Sequence, residues 1–123
     1  MSQAAVDTAA AMLTEVRGLL LRGWCQDAQA RDERGSIVLP WSEEAASWSL
    51  LGAVLATWEW HDEELDVNFV AHSAEANALG DATRALVAAT GNPSLEDWND
   101  AFERRRGDVI AAVDDALDLV EPV

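Results

Sequence analysis

"AASWSLLGAVLATW", residues 45–58, is apolar on nearly every side of a helical projection, as expected of a helix enclosed by other helices. Pro40 and Ser42 stand just before it; Ser42 is placed to cap it, and Glu43 and Glu44 suit the positive end of its first turn. Gly52 and Ala53 are small enough to let a neighbouring helix come close, which accounts for a glycine in a helix interior. The apolar run extends to Trp60 but is broken by Ser47, Ser49, Gly52, Thr57 and Glu59. It is also short of the roughly 20 residues that cross a bilayer. The segment therefore predicts the centre of a soluble core.

The flanking segments supply what would surround it. From Val6 to Leu21, Val6, Ala9, Ala10, Leu13, Val16 and Leu20 recur at helical spacing, and Gly23 is the natural stop. "AQARDERGSIVL" (28–39) predicts a small hairpin: a polar stretch, a turn from Asp32 to Gly35, then the β-formers Ile37, Val38 and Leu39. From Asp66 to Thr90 an alanine-rich segment carries Phe69, Ala76, Leu79 and Leu86 on one stripe, with Gly80 as a bend, until Gly91, Asn92 and Pro93 end it. Ser94 and Asp97 form a weak capping box for a short helix through Trp98. A last helix from Asp108 to Val120 turns Val109, Val113, Ala116, Leu117 and Val120 inward. The expected fold is mainly α: one domain over residues 1–123, four to five helices around a buried central helix, and one small β-hairpin.

Twenty-three acidic residues face eight basic ones, all arginine. Residues 1–40 are nearly balanced, with five acids and four arginines, whereas residues 41–80 carry eight acids and no base. Such a surface repels nucleic acid and anionic lipid and steers toward a basic partner; the competing reading is that the charge serves solubility. Asp114, Asp115, Asp118 and Glu121 lie on the outward face of the last helix. Acids there oppose the helix dipole by about 0.3–1 kcal/mol each. A stripe that breaks a local rule is a candidate contact surface, against the alternative of an exposed terminal turn. The lone Cys25 and the absence of a basic-then-apolar leader predict a cytoplasmic protein.

The next candidate for chemistry is "ATWEWHDEELD" (56–66), where the apolar segment runs into His61 and the acids Asp62, Glu63, Glu64 and Asp66. These acids, with His61 or His72, have the donor types of a divalent-metal site. Adjacent acids point in different directions, however, and no second histidine stands four residues away. A solvated face or helix cap is the plainer reading. Cys25 follows a tryptophan at a helix end, where a small buried thiol is more ordinary than a nucleophile. No phosphate loop or Gly-x-Ser-x-Gly turn is present, and Arg106-Gly107-Asp108 marks the start of the last helix. No cofactor and no catalytic residue are expected.

Six tryptophans stand in this short chain. Trp48 and Trp58 belong to the apolar segment, Trp24 and Trp98 close helix ends, and each indole N–H needs a partner. Trp41 and Trp60 are less clearly inward, and Trp60 beside Asp62, Glu63 and Glu64 has the make-up of a binding anchor.

"GWCQDAQARDERG" (23–35), "SWSLLGAV" (47–54) and "WNDAFERRRGDVI" (98–110) together resemble a family of small bacterial and phage proteins known only as a domain of unknown function. The resemblance spans most of the chain. It departs at Ser49, where that family tends to have cysteine, and at Cys25, where a small polar residue is commoner. It implies a fold unit and a bacterial or phage source, but no activity. Trp98, Asn99 and Asp100 form a second candidate site, weighed against a role for the Asn-Asp pair in capping the last helices.

The leading expectation is a non-enzymatic module whose acidic surface meets a basic protein. A nucleic-acid mimic is its sharper form. The alternatives are a metal-binding protein or small enzyme built on His61 and His72, and a structural homo-oligomer subunit.

Overall fold

The computed structural model describes residues 8–58 and 69–120. Five helices and two short strands follow in the order α1 (Ala9–Arg22), β1 (Ala30–Arg31), β2 (Ser47–Trp48), α2 (Leu50–Trp58), α3 (Phe69–Thr90), α4 (Leu95–Asn99) and α5 (Arg106–Val120). The protein is mainly α, as its periodicity predicts, with one small antiparallel sheet. No helix among the described residues is long and apolar enough to cross a membrane.

Helix α1 begins where the Thr8 side chain accepts a hydrogen bond from the Ala11 amide at 3.1 Å. Its Met12, Leu13, Val16 and Leu20 are fully buried, because positions at this spacing fall on one face of a helix. That face meets α2, α3 and α5. In α3 the side chains that reach the core include Ala78, Ala82, Ala85 and Leu86. Small residues let α3 lie close to α1 and α5. In α5, Val109, Ala112, Val113 and Ala116 are buried, while Leu117 and Val120 pack half-buried at the margin.

The apolar segment that opens the sequence reading divides differently from its expected helix. Ser42 does begin a turn, since its hydroxyl accepts from the Glu44 amide at 3.1 Å and its carbonyl from the Ala45 amide at 3.1 Å, but the turn does not propagate. Ser47–Trp48 instead pairs with Ala30–Arg31 in antiparallel register, and the Trp48 backbone also exchanges bonds with Gly23 and Cys25. The helix cap is Ser49, whose Oγ accepts from the Gly52 amide at 2.9 Å and whose carbonyl accepts from the Ala53 amide at 2.8 Å. Continuous apolarity cannot separate a buried strand from a buried helix. The expected local hairpin is present in short form: the Asp32 amide donates to the Ser36 carbonyl at 2.9 Å and the Val38 amide to the Ala30 carbonyl at 3.1 Å, around a turn at Gly35 (φ 88°) and a bridge between Arg31 and Ile37. The ladder partner is the distant β2.

Two glycines permit the close approaches. A Cβ on Gly52 would lie 1.9 Å from the Gln29 carbonyl oxygen, so the element that presses on α2 there is the backbone before β1, rather than the neighbouring helix expected. Gly23 ends α1 in an extended conformation (φ −179°), where a Cβ would lie 2.2 Å from the Ala46 carbonyl oxygen. It is required by proximity and not by a left-handed cap.

Gly52→Ala is therefore expected to cost about 3 kcal/mol, at the upper end of overpacking effects because backbone cannot rotate away. Gly18→Ala, in a helix interior with open space around it, should stabilise by about 0.5–1 kcal/mol. Chemical denaturation of the two variants beside the parent checks both signs.

Candidate functional site

One residue of each candidate surface, Trp98 and Asp115, lines a common groove at the connection between α4 and α5. Ser94 caps α4 by accepting from the Asp97 amide at 3.2 Å. After Asp100 the chain turns, the Arg104 amide donating to the Ala101 carbonyl at 2.9 Å. At the start of α5 the Asp108 carboxylate accepts from the Arg105 amide at 3.0 Å, one half of a capping box. Trp98, Phe102, Arg104, Asp108 and Asp115 line a groove between this turn and α5. Within it the Arg104 guanidinium stacks on the Trp98 ring at 3.9 Å, and its Nε donates to the Trp98 carbonyl at 2.8 Å. Phe102 is 95% exposed.

Trp98 and Asp115 thus share a groove, whereas Asn99 points the other way. Its side chain is fully buried. Oδ1 accepts from the Trp24 indole at 2.7 Å and from the Leu50 amide, the first residue of α2, at 3.0 Å. Nδ2 donates to the Cys25 carbonyl at 3.1 Å and to the Asp100 carboxylate at 2.9 Å. All four hydrogen-bonding positions of an asparagine side chain are filled. Asp100 also accepts from the Asp27 amide at 2.9 Å, and Asp27 holds a positive φ of 64° that aspartate tolerates better than most residues. The Gln26 amide nitrogen donates to the carbonyls of Asn99 and Ala101 at 2.9 and 3.0 Å. Asn99 and Asp100 therefore bind the protein's own chain. The capping reading of this pair is close in kind, but the helix it caps is α2, through Leu50.

The acids of α5 separate by environment. Asp114 is half-buried and forms an ion pair with Arg17 of α1, Oδ1 to Nε at 2.7 Å, a solvent-screened contact that contributes little to stability. Asp115 and Asp118 are exposed and make no ion pair among the described residues. Glu121, Trp60, His61, Asp62, Glu63 and Glu64 lie outside the described residues, and for His72 on α3 the backbone alone is described. Among the described residues no group of His, Cys, Asp and Glu could hold a metal ion.

Phe102, Glu96 and Ser49 stand out only in the folded chain, the first by its exposure and the other two by their burial. Burial pushes the Cys25 thiol up from its ordinary value, and the charges of Glu96 and Asp100 add to this, against the Ser47 hydrogen bond and the Arg31 charge. The thiol is held in its protonated, unreactive form, with Sγ donating to the Ala28 carbonyl at 3.7 Å. Glu96 is also pushed up, first by burial and then by Asp100 and Asp97, with the Ser49 hydroxyl opposing. Its Oε1 is buried with no hydrogen-bond partner among the described residues.

A carboxyl raised in the folded state gives its full stability below the unfolded value and loses it as pH rises through the folded one. Glu96→Gln is therefore expected to melt a few degrees above the parent at neutral pH. That advantage should shrink as pH falls through the raised folded-state value and be gone by the ordinary glutamate value of about 4.3. Paired thermal melts across this range check it, and a constant difference would count against it.

A family model described as a family of unknown function, DUF6197, matches residues 4–119. No curated protein and no solved structure matches the chain.

Proposed function

For a chain that belongs to the DUF6197 family, whose function is unknown, we propose a non-enzymatic binding module that engages a basic protein through the groove between the α4–α5 turn and α5. The observation that carries this is Phe102, 95% exposed on a turn that is tied down on both sides of it. Gln26 holds the Ala101 carbonyl before it, and Arg104 is fixed to Trp98 by a hydrogen bond and by stacking after it. An aromatic side chain held in water by an anchored backbone is suited to the centre of an interface. Glu103, Asp108 and Asp115 border the same groove, and carboxylates at the rim accelerate the approach of a basic partner.

Support for a non-enzymatic reading comes from the polar residues themselves. Asn99 and Ser49 are used in holding the backbone, and the Cys25 thiol is kept protonated. An extended, phosphate-like face is less well supported. The described carboxylates fall into separate depressions, one of which mixes Asp32, Glu33, Glu43 and Glu44 with Arg22 and Arg34, while Asp114 is neutralised by Arg17.

Affinity capture from a bacterial lysate tests the proposal, comparing the parent with Phe102→Ala and with Asp115→Asn combined with Asp118→Asn. The expected result is capture of a basic protein, weakened about tenfold by Phe102→Ala, or about 1.4 kcal/mol. The carboxamide pair should slow association and flatten the dependence on salt. Equal capture by all three proteins, each folded by circular dichroism, would contradict it.

A further inference from the structure

Residues 36–39 run beside β1 on the side away from β2 and form the outer edge of the small sheet. The Val38 amide donates to the Ala30 carbonyl at 3.1 Å and the Asp32 amide to the Ser36 carbonyl at 2.9 Å, so Ser36 and Val38 direct their backbone groups toward β1. In an extended chain the intervening residues direct theirs the opposite way. The Ile37 N–H and C=O and the Leu39 N–H have no partner among the described residues, and the Leu39 carbonyl is taken by the Ser42 amide at 3.0 Å. The side chains alternate as well. Val38 packs against the core and Pro40 is buried, while Ile37 is 67% and Leu39 59% exposed.

Exposed sheet edges are ordinarily guarded by charge, proline or a bulge. Here the outward residues are isoleucine and leucine, and the guard stands only at the ends. Pro40 and the following turn limit the free edge to three residues, too short to template a fibril but long enough to seat a peptide. Glu33 precedes the edge and Glu43 and Glu44 follow it. These three meet Asp32 in one depression where carboxylates outnumber the guanidinium groups of Arg22 and Arg34.

We propose that the Ile37–Leu39 edge receives an extended segment of a partner polypeptide as an added strand, one with β-branched residues in alternation and arginine or lysine at its ends. Backbone hydrogen bonds to Ile37 and Leu39 supply pairing, and the two exposed side chains supply apolar contact on one face. The excess of carboxylates in the depression formed by the residues that lead into and out of the edge, Glu33 before it and Glu43 and Glu44 after it, favours basic ends. This surface shares no residue with the Phe102 groove, so either can fail alone.

The probe is a fluorescent peptide of sequence Arg-Thr-Val-Thr-Val-Arg, titrated into the full chain by anisotropy, with hydrogen exchange read at the Ile37 and Leu39 amides. Binding should slow exchange at both amides and weaken with salt. It should fall about tenfold for the double variant Ile37→Lys with Leu39→Lys, and by a similar factor when alternate peptide amides are N-methylated. Phe102→Ala should leave it unchanged. No binding, or binding that survives both N-methylation and the lysine pair, would overturn the proposal. So would concentration-dependent self-association that the lysine pair abolishes without any peptide binding, because the occupant would then be a second copy. Both lysines replace exposed side chains, and thermal melting confirms that the variant is folded.

Discussion

The buried amide of Asn99 joins parts of the chain that no local rule would bring together. Its oxygen receives the first amide of α2 and the indole of Trp24, just past the end of α1, while its nitrogen holds the Cys25 carbonyl and Asp100. A buried donor or acceptor left unpaired costs about 1–3 kcal/mol. Removing this one side chain would orphan several such groups at once. The same contacts place the turn after α4, because Gln26 reaches across to the carbonyls of Asn99 and Ala101. The exposed Phe102 and the groove beside it follow from a buried polar knot.

Around this knot the packing is close enough for single atoms to decide it. The Gln29 carbonyl lies where a Cβ on Gly52 would be, and the Ala46 carbonyl where one on Gly23 would be. Both contacts press the segment before and after β1 onto the helices. The sheet, too small to be stable alone, is thereby held between α1 and α2, and its free edge at Ile37 and Leu39 is held out toward solvent.

Much of the helical frame was legible because it rests on periodicity. Leu13, Val16 and Leu20 in α1, and Val109, Val113 and Ala116 in α5, repeat at helical spacing and are buried. The segment around Trp48 was not legible, since a run that is apolar throughout suits a buried strand as well as a buried helix, and the bonds that choose the strand come from Ala30, Arg31 and Gly23. The need of the Trp24 indole for a partner could be read from the residue type. That the partner is Asn99 could not, because the two lie 75 positions apart. Trp98, Asn99 and Asp100 were read as one unit, yet the short helix turns Trp98 to the groove and Asn99 to the core. The separation of Asp114 from Asp115 was hidden for a similar reason: adjacent residues on a helix point about 100° apart, and only Asp114 meets Arg17.

Native-state hydrogen exchange at the Trp24 indole and the Leu50 amide is the measurement that bears on this knot. If Asn99 holds the fold together, both protons exchange only through global unfolding, with the same free energy as the slowest amides of α1. Exchange at either proton through a local opening, well below the global unfolding free energy, would show that the knot is peripheral and that the groove depends on other contacts.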